Sequence, residues 1–257
     1  MKRKRLDDYL AETYQISKIM AESLILQGLV IVNNQKIIKK NHLIKPDDKV
    51  ILKKNIQTYP SRSAYKLKYA INQLQINDKI KNKICVDIGA SHGGFTKVLL
   101  ENYPKRVYAI DVAKGIIDYQ IRMDQRVYLL EEKNIKDIHI KDFIQEDYLD
   151  SPWFITCDVS FISIITVIKA LEKWLKQIKQ EKNNDFYFNG IFLLKPQFED
   201  SQSTMKGILK DLNIREHIIQ TRIKQIKEMN FKVLKHFPSS LKGTKGNLEE
   251  ILYIRSF

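Results

Sequence analysis

The 257-residue sequence contains only two cysteines, Cys85 and Cys157, and it has no long run of apolar residues. Two cysteines this far apart cannot form a disulfide framework or a metal site, so we expect buried, reduced thiols. The five histidines show no metal-ligand spacing, and the sequence predicts no metal. No apolar stretch is long enough to cross a bilayer, and the basic residues 1–5 are not followed by the apolar segment of a secretory signal. We therefore expect a cytoplasmic protein with no membrane partner.

Residues 83–100 contain a glycine-rich loop that lacks both common phosphate-binding patterns. An apolar run precedes Asp87, and a segment with helical apolar spacing begins at Phe95. Strand, glycine loop and helix in this order are typical of nucleotide-binding α/β domains, where the ligand lies over the helix N-terminus. The glycine spacing is neither GxGxxG nor a loop that ends in Gly-Lys-Ser/Thr, and the loop has no lysine to hold a phosphate.

This loop favours a ligand without phosphate, because Asp87 would repel phosphate and attract an amino-acid ammonium group. S-adenosylmethionine has an adenosine, a sulfonium and an α-amino group but no phosphate, so the sequence predicts it as the cofactor. The alternative is an ordinary strand-to-helix turn in an α/β domain of another function. The predicted cofactor-binding residues are Asp87, Gly89, Ala90, Ser91, Gly93, Gly94, Phe95, Asp111, Asn134 and Asp158.

Strands and helices continue to alternate after this loop. Asp111 ends the second strand, a little over twenty residues after the loop begins, where an acid takes the ribose hydroxyls of a ligand. Asn134 closely follows the third strand, where it would contact the adenine. Strands are predicted at 84–86, 106–111, 127–130, 153–158, 186–194, 231–237 and 249–255, and helices at 161–175 and 214–229. Ser61 is the predicted N-cap of an earlier helix that carries Lys66.

Residues 1–56 indicate a separate small unit of two helices followed by a basic hairpin. Residues 1–58 contain twelve basic and six acidic residues, and the whole chain has a formal net charge of +14. This charge indicates a polyanionic partner, and helices with a basic hairpin suit recognition of structured RNA through its backbone. The alternative is a small unit with a solvated basic face. The predicted organisation is an RNA-binding domain at 1–56, a linker at 57–61 and a catalytic domain at 62–257.

Four polar residues, Asp87, Asp111, Asp158 and Lys195, come at or just after the ends of predicted strands, where ligands bind in open parallel sheets. No Asn/Asp-Pro-Pro-Tyr run follows the fourth strand, which disfavours methylation of base amino groups. Cys157 precedes Asp158 on a strand, so the two side chains point to opposite faces and a thiolate nucleophile is disfavoured. A lysine and an acid beside a methyl donor suit an alcohol acceptor such as a ribose hydroxyl, whose proton needs a base.

Seven stretches of the sequence carry a resemblance to a known family. They are Arg5–Asp7, Gly28–Asn33, Ser61–Leu67, Asp87–Thr96, Asp158–Ser163, Lys195–Glu199 and Gly246–Glu249. Together they resemble the TlyA (haemolysin A) family of ribosomal RNA 2′-O-methyltransferases. The resemblance implies an αL RNA-binding domain, shared with a small-subunit ribosomal protein, followed by an FtsJ-like catalytic domain. The implied fold is α/β: a Rossmann-like S-adenosylmethionine-dependent methyltransferase domain preceded by a small α+β RNA-binding domain.

The resemblance also implies a catalytic tetrad and a substrate. The Lys-Asp-Lys-Glu tetrad of FtsJ-like enzymes falls on Lys66, Asp158, Lys195 and Glu249, with Lys195 as the base that the others assist. Glu250 adjoins Glu249, and strand alternation lets only one of them face the site; the spacing after the preceding Gly-Asn pair favours Glu249. The implied partner is ribosomal RNA or a ribosomal subunit, and the implied target is a cytidine. The rival interpretations are a membrane-active, haemolysin-like protein and a non-catalytic rRNA-binding assembly factor.

Three positions depart from the pattern of the family. Ser63 and Ala64 stand where the family often has two glycines, and His92 stands where it often has threonine. None of these changes removes a predicted reacting group.

Overall fold

The structure is a computed structural model, and it describes residues 3–14, 16–26, 28–52, 59–144, 147, 152–181, 185–200, 202–243 and 245–257. It divides the chain into two compact units, Met1–Ala64 and Tyr65–Phe257. Residues 57 and 58 of the predicted linker lie outside the described residues. The predicted domain boundaries therefore stay a prediction.

The described residues of the first unit form two helices and five short strands around their own apolar core. Its elements are β1 (Lys4–Arg5), α1 (Leu6–Thr13), α2 (Lys18–Leu26), β2 (Val30–Val32), β3 (Gln35–Ile37), β4 (Leu43–Ile44) and β5 (Val50–Leu52). Strand β2 pairs antiparallel with β3 and with β5, while β1 pairs antiparallel with β4. The buried core residues are Leu6, Leu10, Ala21, Leu24, Ile25, Val30, Val32 and Ile44.

Local sequence signals predict the turns and caps of this unit correctly. Asn33 and Asn34 both have positive φ angles, 48° and 66°, which is the backbone of the two-residue hairpin turn between β2 and β3. The Ser17 hydroxyl oxygen accepts the backbone N–H of Met20 at 3.2 Å and caps α2. Short polar residues thus set the ends of these elements.

The second unit alternates strands with helices. Its elements are α3 (Ala64–Leu74), β6 (Ile84–Ile88), α4 (Gly94–Glu101), β7 (Arg106–Ile110), α5 (Tyr119–Arg122), β8 (Val127–Leu130), β9 (Trp153–Cys157), α6 (Ile164–Glu181), β10 (Phe188–Leu194), α7 (Pro196–Glu199), α8 (Leu212–Glu228), β11 (Phe231–Pro238) and β12 (Glu250–Ser256). The strands form one seven-stranded sheet in the order β11-β12-β10-β9-β6-β7-β8. Strand β12 pairs antiparallel with β10 and β11, and the other pairs are parallel.

Strand β6 lies at the point where the winding of the sheet reverses. The chain moves from β6 through β7 to β8 on one side, and then returns to place β9 on the other side of β6. The crevice beyond the carboxyl end of such a strand is the usual ligand site of an open α/β sheet. The topology therefore assigns the glycine loop after β6 to the ligand-binding edge, and it agrees with the predicted fold class.

Alternate residues of the central strands pack against helices α6 and α8. The buried cluster on this face contains Val86, Tyr108, Ile155, Phe192 and Leu252 together with the apolar sides of both helices. Burial of such side chains contributes roughly 1.5–3 kcal/mol each. Because side chains alternate along a strand, the intervening polar residues of β6 and β9 point to the other face.

The structure corrects three details of the predicted elements. Helix α3 begins at Ala64, so Ser61 is not its N-cap; instead the Ser61 hydroxyl hydrogen-bonds that of Ser63 at 2.6 Å. Strand β6 continues to Ile88, so Asp87 lies inside it and does not end it. Helix α6 begins at Ile164, because Phe161 has a φ of 63°, which is incompatible with a right-handed helix.

Candidate active site

The glycine loop is held between the ends of β7 and β9. The backbone N–H groups of Gly89 and Ala90 both donate to the Ile110 carbonyl, at 2.9 and 3.0 Å. Gly89 has a φ of 82°, and a Cβ atom there would lie 2.9 Å from the Asp158 carbonyl oxygen. Only glycine combines this backbone conformation with this close approach. Glycine is thus required at position 89 because the ends of the neighbouring strands pack closely against the loop.

Asp87 lies beneath the loop and is fully buried. Its two carboxylate oxygens accept hydrogen bonds from the hydroxyls of Thr96, at 2.6 Å, and Thr156, at 2.9 Å. Burial raises the pKa of the Asp87 carboxyl to about 7, although the two hydroxyls oppose that shift. Asp87 therefore braces β6, α4 and β9 around the loop, and its charge acts on the crevice from below.

Asp111 ties the loop to the turn after β7. Its carboxylate accepts the backbone N–H of Ser91 at 2.7 Å and that of Ala113 at 2.8 Å. Asn134 caps a short 3₁₀ turn, since its side-chain oxygen accepts the N–H of Lys136 at 3.1 Å. Both predicted residues thus shape backbone at this edge of the sheet.

Gly93, Gly94 and Phe95 form the transition from the loop into helix α4. Gly93 is the N-cap residue with a φ of 89°, and a Cβ atom there would lie 2.4 Å from the Ile121 side chain. The side chain of Phe95 is buried in the apolar core. The Phe95 ring is therefore not available to a ligand at the N-terminus of α4, and only backbone groups of this segment can contact one there.

Asp158 and Lys195 form an ion pair at the carboxyl edge of the sheet. Each is the first residue after its strand, β9 or β10, and Lys195 Nζ lies 2.6 Å from Asp158 Oδ1. Lys195 Nζ also donates to the Ser160 hydroxyl at 3.1 Å. The side chain of Asp158 is 13% exposed and that of Lys195 is 10% exposed, so the ion pair borders the solvent without being fully open to it.

Lys66 and Glu249 form a second, more deeply buried ion pair. Lys66 Nζ lies 2.5 Å from Glu249 Oε2, and the two side chains are 9% and 4% exposed. Lys66 lies in the first turn of α3, and Glu249 immediately precedes β12. Removal of one partner from such a buried pair typically costs about 3–5 kcal/mol, because the other charge loses its compensation.

The strand register brings the two pairs to the same edge. Leu194 lies opposite Glu250 in the β10–β12 ladder, so one further antiparallel step places Lys195 opposite Glu249. Strand β9 adjoins β10 on its other side, which adds Asp158 to the row. The four predicted tetrad residues therefore converge from one helix and three neighbouring strands.

Glu250 belongs to a different network. Its carboxylate pairs with Arg215 Nη2 at 2.6 Å and with His236 Nδ1 at 2.9 Å. The two adjacent glutamates thus have separate partners, as expected for consecutive residues whose side chains leave the chain in opposite directions.

Three further residues at this edge were not predicted from the sequence. Ser160 contacts Lys195, Val112 directly follows Asp111 and is 67% exposed, and Phe161 is 89% exposed. The Phe161 ring lies 4.7 Å from that of Phe198, centroid to centroid. Ser160 and Phe161 lie inside the Asp158–Ser163 stretch that carries the resemblance, so the signal was present. The apolar run placed Phe161 in the helix instead.

The two cysteines take no part in this site. Both are free and buried, and burial raises the pKa of the Cys157 thiol to about 12 and that of Cys85 further. Neither is a thiolate near neutrality. Within the described ranges, no group of three or more His, Cys, Asp or Glu side chains is arranged to hold a metal ion. In the same part of the chain, no helix has the length and apolar character needed to cross a membrane.

Comparison with known proteins gives consistent results along the chain. The family described as FtsJ-like methyltransferase matches residues 59–256, and the S4 domain matches residues 4–50. Hemolysin A of Brachyspira hyodysenteriae is 38% identical over 252 residues, which cover 97% of this chain and 98% of that protein.

A second relative has an enzymatic name. The 23S rRNA (cytidine-2′-O)-methyltransferase TlyA of Campylobacter jejuni is 30% identical over 273 residues, which cover 97% of this chain and 98% of that protein. A solved Streptococcus thermophilus structure that bears the name hemolysin superposes with a TM-score of 0.72 at 29% identity. The superposition covers 100% of this chain and 89% of the Streptococcus thermophilus chain.

Proposed function

The chain belongs to the FtsJ-like methyltransferase family, and on that premise we propose that it methylates ribosomal RNA. The donor is S-adenosylmethionine, and the acceptor is the ribose 2′-hydroxyl of a cytidine. The name of the Campylobacter jejuni relative supports this acceptor. The proposed catalytic residues are Lys66, Asp158, Lys195 and Glu249.

The observation that carries this proposal is the pairing of two lysines with two carboxylates beside the glycine loop. Asp158, Lys195 and Glu249 lie at the ends of three neighbouring strands, of which β9 adjoins β6, where the sheet reverses its winding, and Lys66 reaches Glu249 from helix α3. Two lysine–carboxylate pairs can supply a base for the acceptor hydroxyl and hydrogen-bond donors that hold it. They supply neither a metal centre nor a thiolate.

The residues around the glycine loop fit S-adenosylmethionine. The loop offers no lysine to a phosphate, and at Gly89 its backbone packs directly against the Asp158 carbonyl, with no side chain between them. Asp111 would hold the ribose hydroxyls, and the exposed Val112 offers an apolar surface to the adenine. Asp87, beneath the loop, favours a cationic ligand over an anionic one. When bound, S-adenosylmethionine would supply a methyl group on a positively charged sulfur.

Lys195 acts as the base in the proposed mechanism. In this step Nζ passes a proton to Asp158 Oδ1, 2.6 Å away, and takes the proton of the 2′-hydroxyl, while the ribose oxygen forms its bond to the methyl carbon and the carbon–sulfur bond breaks. Asp158 and Ser160 orient Nζ from 2.6 and 3.1 Å. The Lys66–Glu249 pair, bound to rigid elements, positions the hydroxyl. Alignment of this kind accounts for a large share of such a rate enhancement.

The surroundings of the pairs suit a nucleotide as the acceptor. Phe161 presents an almost fully exposed aromatic face three residues after Asp158, and bases of unpaired RNA stack on such faces. The S4 match at residues 4–50 supports RNA binding by the first unit. A base on Phe161 would bring its own ribose to the edge that holds Lys195.

Two experiments on the purified full-length chain test the proposal. Transfer of labelled methyl from S-adenosylmethionine to unmethylated large-subunit rRNA should be detectable, and digestion should yield label in cytidine. A 2′-O-methyl group blocks alkaline cleavage at its own position, so the label should appear in alkali-resistant dinucleotides. Label released as an alkali-sensitive, base-methylated nucleotide would contradict the proposal.

The rival functions predict other outcomes. A membrane-active protein would release dye from liposomes, and an rRNA-binding assembly factor would bind rRNA without transferring label. The match to a methyltransferase family over residues 59–256 and the intact pairs support the enzymatic function over both. Dye release without methyl transfer would overturn it.

A further inference from the structure

Two loop segments of the second unit are clamped together by one buried side chain. The Asn247 side chain donates from Nδ2 to the Gly207 carbonyl at 2.9 Å, and its Oδ1 accepts the Leu209 N–H at 2.9 Å. Asn247 is 5% exposed. A buried amide that satisfies two backbone groups of another segment fixes the relative position of the two segments.

The clamped segments lie directly against Glu249. The Gly243 N–H donates to the Asn247 carbonyl at 2.9 Å. A Cβ atom at Gly243 would lie 2.5 Å from Glu249 Oε1, so the backbone of this segment packs on that carboxylate. The segments therefore form a wall of the site at the Lys66–Glu249 pair.

The same segments carry an excess of positive charge. Lys206, Lys210, Lys242 and Lys245, which we call the lysine surface, are all exposed. Neither the stretch 205–210 nor the stretch 239–248 contains an acidic residue, and the carboxylate of the adjacent Asp211 caps helix α8. In the part of the chain that the structure describes, none of the four forms an ion pair, unlike Lys114, which pairs with Glu132. Exposed lysines without carboxylate partners are suited to bind phosphates.

We propose that the lysine surface binds the phosphodiester backbone of the RNA strand that carries the acceptor hydroxyl. This inference rests on the proposed function and deepens it by assigning a second RNA-binding region, within the catalytic unit. The charges of Lys66 and Lys195 are already compensated by carboxylates, so the tetrad itself provides no net attraction for RNA. The lysine surface supplies that attraction beside the site. The hydrogen bonds of the Asn247 side chain hold this surface in a fixed position relative to Glu249.

The test compares two variants of equal charge in the full-length chain. The first replaces the surface: Lys206→Gln, Lys210→Gln, Lys242→Gln and Lys245→Gln. The control changes four other exposed lysines of the same unit: Lys224→Gln, Lys227→Gln, Lys232→Gln and Lys235→Gln. Retention of in vitro transcribed large-subunit rRNA on filters gives Kd over a range of salt concentrations, and methyl transfer gives KM and kcat.

The surface variant should show a Kd and a KM at least roughly tenfold higher near physiological salt, with kcat within about twofold of the wild type. Its log–log salt slope should be smaller by about 0.7–0.9 for each RNA phosphate that the variant no longer neutralises, whereas the control variant should retain most of the wild-type slope. Equal losses of affinity in the two variants would overturn the inference. Loss of binding to anionic phospholipid vesicles, with rRNA binding retained, would also overturn it and identify a lipid partner. Failure of the wild type to methylate any rRNA would count against the proposed function. The filter assay would still test whether the lysine surface binds rRNA, because it does not depend on methyl transfer.

Discussion

At the scale of single residues, the site is dominated by charges that are almost completely paired. Lys195 has Asp158 and Ser160 as partners, and Lys66 has Glu249. Paired and partly buried charges are held in fixed positions, and they need little reorganisation when a reaction moves a proton among them.

Lys195→Ala should lower the single-turnover rate at least about a hundredfold, because a general base contributes that much or more. Lys66→Ala should be similarly damaging, and the double variant little worse, because residues that act as a unit are not additive. S-adenosylmethionine affinity, measured by calorimetry, should stay nearly unchanged. Ser160→Ala serves as the control, since it removes the hydroxyl that accepts one hydrogen bond from Nζ and leaves the amine. Wild-type rates in Lys195→Ala would contradict the proposed role.

The adjacent glutamates should respond differently to the same substitution. Glu249→Gln should mainly slow methyl transfer, because it removes the charge that compensates Lys66 at the site. Glu250→Gln should mainly lower the melting temperature, because Arg215 would lose its carboxylate partner away from the acceptor. Rates normalised to the folded fraction would distinguish the two, and a larger rate loss in Glu250→Gln would reverse their assignment.

Asp87 should make the stability of the fold depend on pH. Burial raises its pKa to about 7 from 3.8, so between these values the folded chain holds a proton that the unfolded chain has released. This contribution to the free energy of unfolding is complete below about pH 4 and is lost as the pH rises through 7, by at most roughly 4 kcal/mol. Urea unfolding at pH 5 and pH 8 should show it, and Asp87→Asn should lose less stability than the wild type between the two. An equal loss in both would contradict the prediction.

At the scale of elements, the glycine loop and the helices around it are fixed by contacts from distant parts of the chain. Glu199, at the end of α7, accepts the Ser163 hydroxyl at 2.6 Å and the Ile164 N–H at 2.7 Å. It also pairs with Arg222 of α8 at 2.7 Å. One buried carboxylate thus caps α6 and joins two other helices just after Lys195. The position of Lys195 therefore depends on the packing of three helices as well as on its own strand.

Gly89→Ala should impair cofactor binding more than Gly246→Ala. Both glycines have positive φ angles, 82° and 88°, so both substitutions cost roughly 1–2 kcal/mol in backbone strain. A Cβ at Gly89 also meets the Asp158 carbonyl at 2.9 Å, while a Cβ at Gly246 meets nothing within 4 Å. Calorimetry should show S-adenosylmethionine affinity at least about tenfold weaker for Gly89→Ala and little changed for Gly246→Ala. Equal affinities would mean that the cofactor does not depend on the shape of this loop.

At the scale of the whole molecule, the chain combines a small basic unit with a larger unit that carries the chemistry. Each has its own buried core. The excess of basic residues in the first unit is set by composition, whereas the proposed reacting groups all lie in the second. Affinity for a polyanion and methyl transfer should therefore respond to different substitutions.

Lys36→Gln, Lys39→Gln, Lys45→Gln and Lys49→Gln together should weaken rRNA binding without affecting the cofactor. These four side chains of the first unit are exposed, and the log–log salt slope should fall by about 0.7–0.9 for each phosphate that is no longer neutralised. Calorimetry with S-adenosylmethionine should give the wild-type affinity. An unchanged salt slope would show that this basic face is only solvated.

The sequence by itself determined the features that depend on local chemistry. The hairpin turn at Asn33 and Asn34, the cap at Ser17 and the strand–glycine loop–helix order after Ile84 follow from side-chain size, positive φ tolerance and apolar period. These properties act over a few consecutive residues, so they can be inferred from the sequence alone. The alternation of strands and helices followed from the same periodic pattern, whereas the methyltransferase fold and the tetrad positions followed from the resemblance.

Only the tertiary structure decided which distant residues meet. The register of β10 with β12 is set by the pairing of two strands far apart in sequence, and that register brings Lys195 opposite Glu249. The partner of each adjacent glutamate depends on which helix reaches it: α3 brings Lys66 to Glu249, and α8 brings Arg215 to Glu250. The predicted start of α6 was wrong for the same reason, because Glu199 caps that helix from 35 residues away. Packing over such distances depends on three-dimensional complementarity, which no local pattern of residues encodes.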